Sequence, residues 1–165
     1  MDKATFADAP VHYTVHVDYA SLPSMTELEK QFSGKGSVSE IFDGRVWENH
    51  ESCQEIDETP GEREFLVKHF GVDMTSDAVI AWGQENGYRV ATYKEAIEFD
   101  AKSPVKHRKF WIAALGSSVL QDDHRFVAGL NDGGLGHILV NRWFENDWSS
   151  SNEWSDDYRF LLVRK

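Results

Sequence analysis

A chain of 165 residues with 41% hydrophobic and 13% aromatic residues can build one domain around its own core, so neither disorder nor dependence on a covalent staple is expected. Its formal net charge of -11 excludes non-specific binding to DNA, RNA or an anionic membrane, all of which need clustered Lys and Arg. The single cysteine, Cys53, excludes an intrachain disulfide, and Glu51, Glu55 and Asp57 beside it would raise a thiol pKa, against a nucleophilic role.

The segment MDKATFADAP has neither a basic nor an apolar leader region, and no apolar run reaches membrane-spanning length, so a cytoplasmic location is expected. The first element is a strand. In Val11 to Tyr19, Val, Tyr and Val alternate with His12, Thr14, His16 and Asp18, the period of a half-buried strand. His12 and His16 fall on its polar face, where exposed strand histidines are preferred over a zinc pair. Ser21 to Phe32 then reads as a short helix, with Pro23 in its first turn and Met25, Leu28 and Phe32 on one face.

From Glu40 to Glu64 there are nine acidic residues against two arginines, most of the chain's negative excess. Ile41, Phe42, Val46 and Trp47 suit a strand, and residues 48–61 suit a solvated acidic loop. Glu64 to Phe70 reads as a second strand with Phe65, Val67 and His69 on one face. Met74-Thr75-Ser76-Asp77 caps a helix over Ser76 to Asn86, with Val79, Ile80 and Trp82 as its apolar stripe and Gly87 just beyond its end.

A short strand, Tyr88 to Ala91, runs into Thr92, and Thr92-x-x-Glu95 is a capping box. The helix it opens should bury Tyr93, Ala96, Ile97 and Ala101 and stop at Ser103-Pro104. Lys102, Lys106, Arg108 and Lys109 form a small basic patch suited to salt bridges with the acidic loop. Phe110 to Val119 is a continuous apolar run, hence a fully buried strand, in which Gly116 suggests a bulge or the close approach of another backbone. His124 to Leu130 and Ile138 to Val140 are strands joined at Asn131-Asp132-Gly133-Gly134, a hairpin signal. Gly133-x-x-Gly136 joins strands and lacks a following lysine, so it is no phosphate loop.

The chain closes on NRWFENDWSSSNEWSDDYRFLLVRK. Trp143, Phe144, Trp148 and Trp154 are interleaved with small polar and acidic residues, and Tyr158 to Val163 is a clear strand. That composition suits either a recognition surface or an aromatic-rich end of the fold.

Two segments, Gly87-Tyr88-Arg89-Val90-Ala91-Thr92 with Glu95, and Trp154 followed by Tyr158-Arg159-Phe160-Leu161-Leu162-Val163-Arg164, carry a family resemblance. Over residues 65–165 the chain resembles the C-type-lectin-like fold, in the disulfide-free branch shared by formylglycine-generating-enzyme-like domains and the variable proteins of diversity-generating retroelements. The resemblance implies an α+β class with two or more helices against a mainly antiparallel sheet. Chain length gives a single domain over 1–165, in which residues 1–62 read as an N-terminal strand, helix and acidic loop, and the resemblance makes 63–165 the C-type-lectin-like core. Departures narrow the function. The Glu-Pro-Asn loop of calcium-dependent sugar sites is absent, only Trp154-Ser155-Asp156 loosely echoes its partner strand, and one cysteine cannot supply the formylglycine enzymes' cysteine pair.

The resemblance points to a non-catalytic ligand- or protein-binding module in a bacterial or phage setting. Its contact surface would comprise Trp143, Asn146, Asp147, Trp148, Ser149, Ser150, Ser151, Asn152, Glu153, Trp154, Asp156 and Asp157. Retroelement variable proteins diversify adenine-containing codons, and the Asn, Asp and Ser residues here fit that set while the adenine-free Trp codons fit a constant scaffold. No metal or cofactor is expected, and the partner is an unspecified protein or small ligand. An alternative is an acidic inhibitor or nucleic-acid mimic acting through residues 40–64. An enzyme would have to draw on His12, His16, His69, His107, His124 or His137, none of which sits in a recognisable nucleophile, metal or phosphate motif.

Overall fold

The computed structural model describes residues 11–20, 47–102, 110–121, 124–131, 134–139 and 153–165. The protein is α+β: among the described residues, two helices accompany a mixed, mostly antiparallel sheet. The expected helix over Ser21 to Phe32, the Ile41–Val46 part of the expected strand, Lys106, Arg108, Lys109 and the Asp132-Gly133 tip of the hairpin lie outside the described residues.

In chain order the strands are β1 (Val11–Val17), β2 (Glu48–Asn49), β3 (Gly61–His69), β4 (Met74–Thr75), β5 (Tyr88–Val90), β6 (Ile112–Gln121), β7 (His124–Asn131), β8 (Gly134–Leu139), β9 (Glu153–Trp154) and β10 (Arg159–Arg164). Helix α1 spans Ser76–Glu85 and α2 spans Tyr93–Lys102. The main sheet runs β1-β3-β10-β6-β7-β8, with β2 on β6 and β5 on β10, and β4 pairs separately with β9.

Strand β10 is the centre. One edge pairs antiparallel with β3, Arg159 opposite His69 through Val163 opposite Phe65. The other edge is divided between β6, parallel at Arg159 and Phe160, and β5, antiparallel from Leu162 to Arg164. Its apolar run is buried on both faces. Leu161 and Val163 join Val15, Val17, Phe65, Ile112 and Leu130 under α2, whereas Phe160 and Leu162 join Leu66, Leu115, Val127, Val79 and Ile80 on the α1 side. Each such fully buried side chain contributes about 1.5–3 kcal/mol relative to exposure. Strand β3 behaves alike, because Leu66 is 1% exposed between Phe65 and Val67; the expected one-sided strand is two-sided.

Gly116 meets both expectations for it. The β6–β7 register shifts between Ala114 and Val119, and a Cβ at Gly116 would stand 2.4 Å from the Ala91 carbonyl oxygen. The Gly116 N–H donates to that same oxygen at 2.7 Å, and the His50 N–H donates to the Gly116 carbonyl at 2.8 Å. Only a residue without a side chain lets β5 wedge between β6 and β10.

Both helices carry their expected caps. Thr75 Oγ1 accepts from Ala78 N–H at 3.0 Å to open α1, and Gly87 follows its end at φ 81°. Thr92 and Glu95 close a reciprocal capping box at 2.9 and 3.4 Å. The buried side of α2 departs from expectation. Tyr93 and Ala101 are only partly buried, while Phe99 and three acids, Glu95, Glu98 and Asp100, are at most 1% exposed. Glu98 is matched by Lys102 Nζ at 2.7 Å and the Asp18 N–H at 3.0 Å.

The expected solvated loop over residues 48–61 is a second departure. Asn49 pairs with Ser117 through β2, a 3-10 turn covers Glu51–Cys53, and Cys53 is fully buried against β5 with its thiol donating to the Val90 carbonyl at 3.2 Å. Glu51, Glu55, Asp57 and Glu58 do remain exposed.

Candidate functional site

Of the expected contact residues, Trp143, Asn146, Asp147, Trp148, Ser149, Ser150, Ser151 and Asn152 lie outside the described residues. Glu153 and Trp154 form β9 against Thr75 and Met74, immediately before α1. Trp154 is 8% exposed, and its indole N–H donates to the buried Ser76 hydroxyl at 2.8 Å. Tyr158 and Phe160 meet its ring edge-on at 5.0 and 6.0 Å. Trp154 is thus an anchor, with its polar atom satisfied inside the fold.

The next three residues face outward. Ser155, Asp156 and Asp157 are exposed, and the Tyr158 N–H closes their turn on the Ser155 carbonyl at 3.2 Å. The Ser155 hydroxyl donates to the Asp157 carboxylate, which holds Asp157 below the usual carboxylate range. The His69 ring lies 2.6 Å from the Asp156 carbonyl. Asp156 and Asp157 are therefore held close to the Trp154 anchor.

The histidines among the described residues are spread over several elements. His12 and His16 are exposed on β1; His12 stands 3.7 Å from Glu64, and His16 offers its carbonyl to Lys102. His124 opens β7 and His137 lies on β8, while His107, Asp122 and Asp123 lie outside the described residues. Among the described residues, no group of three His, Cys, Asp or Glu side chains is placed to hold a metal ion. His50, unremarked in the sequence, caps the 3-10 turn by accepting the Ser52 N–H at 3.1 Å. The Cys53 thiol is pushed up chiefly by burial, with a lesser push from the Glu95 charge and opposition from the Ser52 hydrogen bond and the Arg89 charge; Glu51, Glu55 and Asp57, which the sequence suggested, are not among the main causes.

The sequence did not reveal a buried ion pair at the other end of β10. Arg89 of β5 binds Glu95 of α2 in a two-pronged contact, 2.7 Å at Oε1 and 2.6 Å at Oε2. Glu95 is fully buried and also accepts the Tyr19 hydroxyl at 2.5 Å, the Thr92 N–H at 2.9 Å and the Thr92 hydroxyl at 3.1 Å. Burial alone would raise the Glu95 pKa; the hydrogen bonds and charge of Arg89, with help from Thr92 and Tyr19, outweigh it and hold the carboxyl below its ordinary value. Burial and the Glu95 charge push the Tyr19 phenol up. The available signal was an arginine in a buried-type strand, six residues before a capping glutamate.

Above this pair opens a cleft of about 390 Å³. Arg63, Arg89, Arg164 and Lys165 supply its basic lining; Ser52, Glu55, Ile56 and Asp57 complete it. Arg164 meets Glu64 at 3.1 Å, and Lys94 meets Glu58 at 3.4 Å outside the cleft, so part of the acidic stretch is neutralised within the fold.

The chain matches no protein-family model, no curated protein and no solved structure. No helix among the described residues is long and apolar enough to cross a membrane.

Proposed function

We propose that this protein is a non-catalytic binding module of C-type-lectin-like type, presenting residues 143–157 to a protein or small ligand. The observation that carries the reading is the contrast within four consecutive residues. Trp154 is locked into the core by packing and by Ser76, and Ser155, Asp156 and Asp157 directly after it are displayed to solvent. A rigid aromatic anchor beneath small polar side chains is an arrangement in which contact residues can change without loss of the fold. The family reading draws support from the pairing of its two motif segments, Leu162 opposite Val90 and Val163 opposite Arg89. A retroelement-diversified surface is consistent with the Asn, Asp and Ser content of this stretch.

The test is a paired substitution, Trp148→Ala and Asn152→Ala, assayed against a panel of candidate protein and glycan ligands. Loss of a binding signal in a folded variant supports the assignment. Unchanged binding by both variants overturns it.

A second reading, an acidic inhibitor of a basic partner, rests on the outward placement of Glu51, Glu55, Asp57 and Glu58. Binding to a basic protein that survives neutralisation of these four residues removes that reading.

A further inference from the structure

We propose that the cleft above Arg89 is a binding site for a small ligand carrying a carboxylate or phosphate group, separate from the C-terminal surface. Arg159 and Arg164 bound β10, and five residues at about 3.3 Å each put its two ends about 17 Å apart. The cleft occupies the end opposite Trp154.

Charge argues for an anion. Acids outnumber bases 28 to 17 in the chain, yet the cleft is lined by four cations and two carboxylates. Of those carboxylates, Asp57 keeps its charge but has Oδ1 occupied by the Thr59 N–H at 2.9 Å within its own turn. Two of the cations, Arg63 and Lys165, are not in an ion pair among the described residues. Arg63 gives its donors to the carbonyls of Asp57, Thr59 and Glu62, contacts that leave its positive charge intact, and neither Arg63 nor Lys165 has a carboxylate within ion-pair distance among the described residues. Repulsion from the protein's remote acids is screened beyond about 8 Å at physiological salt, so the charged groups of the cleft itself decide what enters.

The floor is rigid. Both terminal nitrogens of Arg89 are fixed on a fully buried glutamate that accepts three further hydrogen bonds. The guanidinium thus needs no reordering when a ligand arrives, which lowers the entropic cost of binding. The volume suits a small molecule, and Ile56 and Ser52 offer apolar and hydroxyl contacts to its body.

The test titrates the full chain with inorganic phosphate and, separately, with acetate, followed by amide NMR at constant ionic strength. Saturating shifts confined to residues 52–57, 63, 89 and 163–165 are expected. Saturation by phosphate alone, or by acetate alone, identifies which anion the cleft takes. Arg164→Gln with Lys165→Gln, both exposed and checked for folding by the same spectra, should weaken binding roughly fivefold. Glu55→Gln should tighten it, and Lys94→Gln should leave it unchanged. Linear, scattered shifts with both anions, or a double variant that binds like the parent, overturn the proposal.

Discussion

The two ends of β10 are held by different physics. At its start, Trp154, Tyr158 and Phe160 pack edge-to-face and one indole hydrogen bond is buried. At its finish, Arg89, Glu95, Tyr19 and Thr92 form a buried network in which each group is committed to a named partner. Packing tolerates changes in the polar residues next to it, because dispersion and area burial do not depend on what a neighbouring exposed side chain is. A buried ion pair has no such tolerance: removing one partner leaves the other charged and dry. The aromatic end can therefore carry a variable surface, and the charged end is suited to an invariant one.

The largest expected effect comes from breaking the charged end. Glu95→Ala strands the Arg89 guanidinium and should cost about 3–5 kcal/mol in chemical denaturation. Arg89→Leu combined with Glu95→Leu should cost less than Glu95→Ala alone, since no charge is then left buried. The pH dependence has a definite sign. Glu95 has a folded-state pKa below its unfolded value, so its contribution is complete above about pH 4.3 and is lost as pH falls through the folded pKa. Glu95→Gln should flatten the acid limb of the stability profile; an unchanged limb would show that other carboxylates dominate it.

Next in size is Trp154→Ala, which empties a buried site and should cost about 3 kcal/mol or more by thermal or chemical melts. Trp154→Phe should cost less, chiefly the unpaired Ser76 hydroxyl. If Trp154→Ala proves cheap, the aromatic end is a surface and not an anchor.

Gly116→Ala tests the wedge supporting the charged end. The added Cβ would meet the Ala91 carbonyl backbone at 2.4 Å, not the end of a flexible side chain, so the expected cost is about 1–3 kcal/mol. The smallest effect is expected from Asp156→Ala, whose exposed side chain should leave the unfolding midpoint unchanged while altering ligand binding. A large stability loss there would erase the distinction between anchor and surface.

Much of the local architecture was legible in the sequence because its causes are local. Alternation in Val11 to Val17 places His12, Thr14 and His16 outward and Val15 and Val17 inward. Thr75, Gly87 and the Thr92–Glu95 box set helix ends through their own backbone groups. Gly116 announced a close approach without naming Ala91. At the C-terminal end, the sequence reading makes Trp154 both scaffold and part of the contact surface, and it is buried, whereas all of residues 143–152 lie outside the described residues.

Only the tertiary structure decided the rest. Two-sided burial of β3 and β10 depends on which elements cover each face, and α1 and α2 lie on opposite sides of the sheet. Glu95, Glu98 and Asp100 look like an exposed helix face until the sheet and β1 close around them. The cleft joins residues 52–57, 63, 89 and 164–165, which no periodicity or motif connects. By itself, the sequence determined where the two described helices begin, which glycine must stay bare and that the chain is acidic, while strand ends shifted: the strand expected from Glu64 begins at Gly61 and the one expected from Ile138 begins at Gly134. Which charges end up buried, and where cations gather in an acidic protein, depends on contacts far apart in the chain, since burial and Coulomb energy follow distance in space.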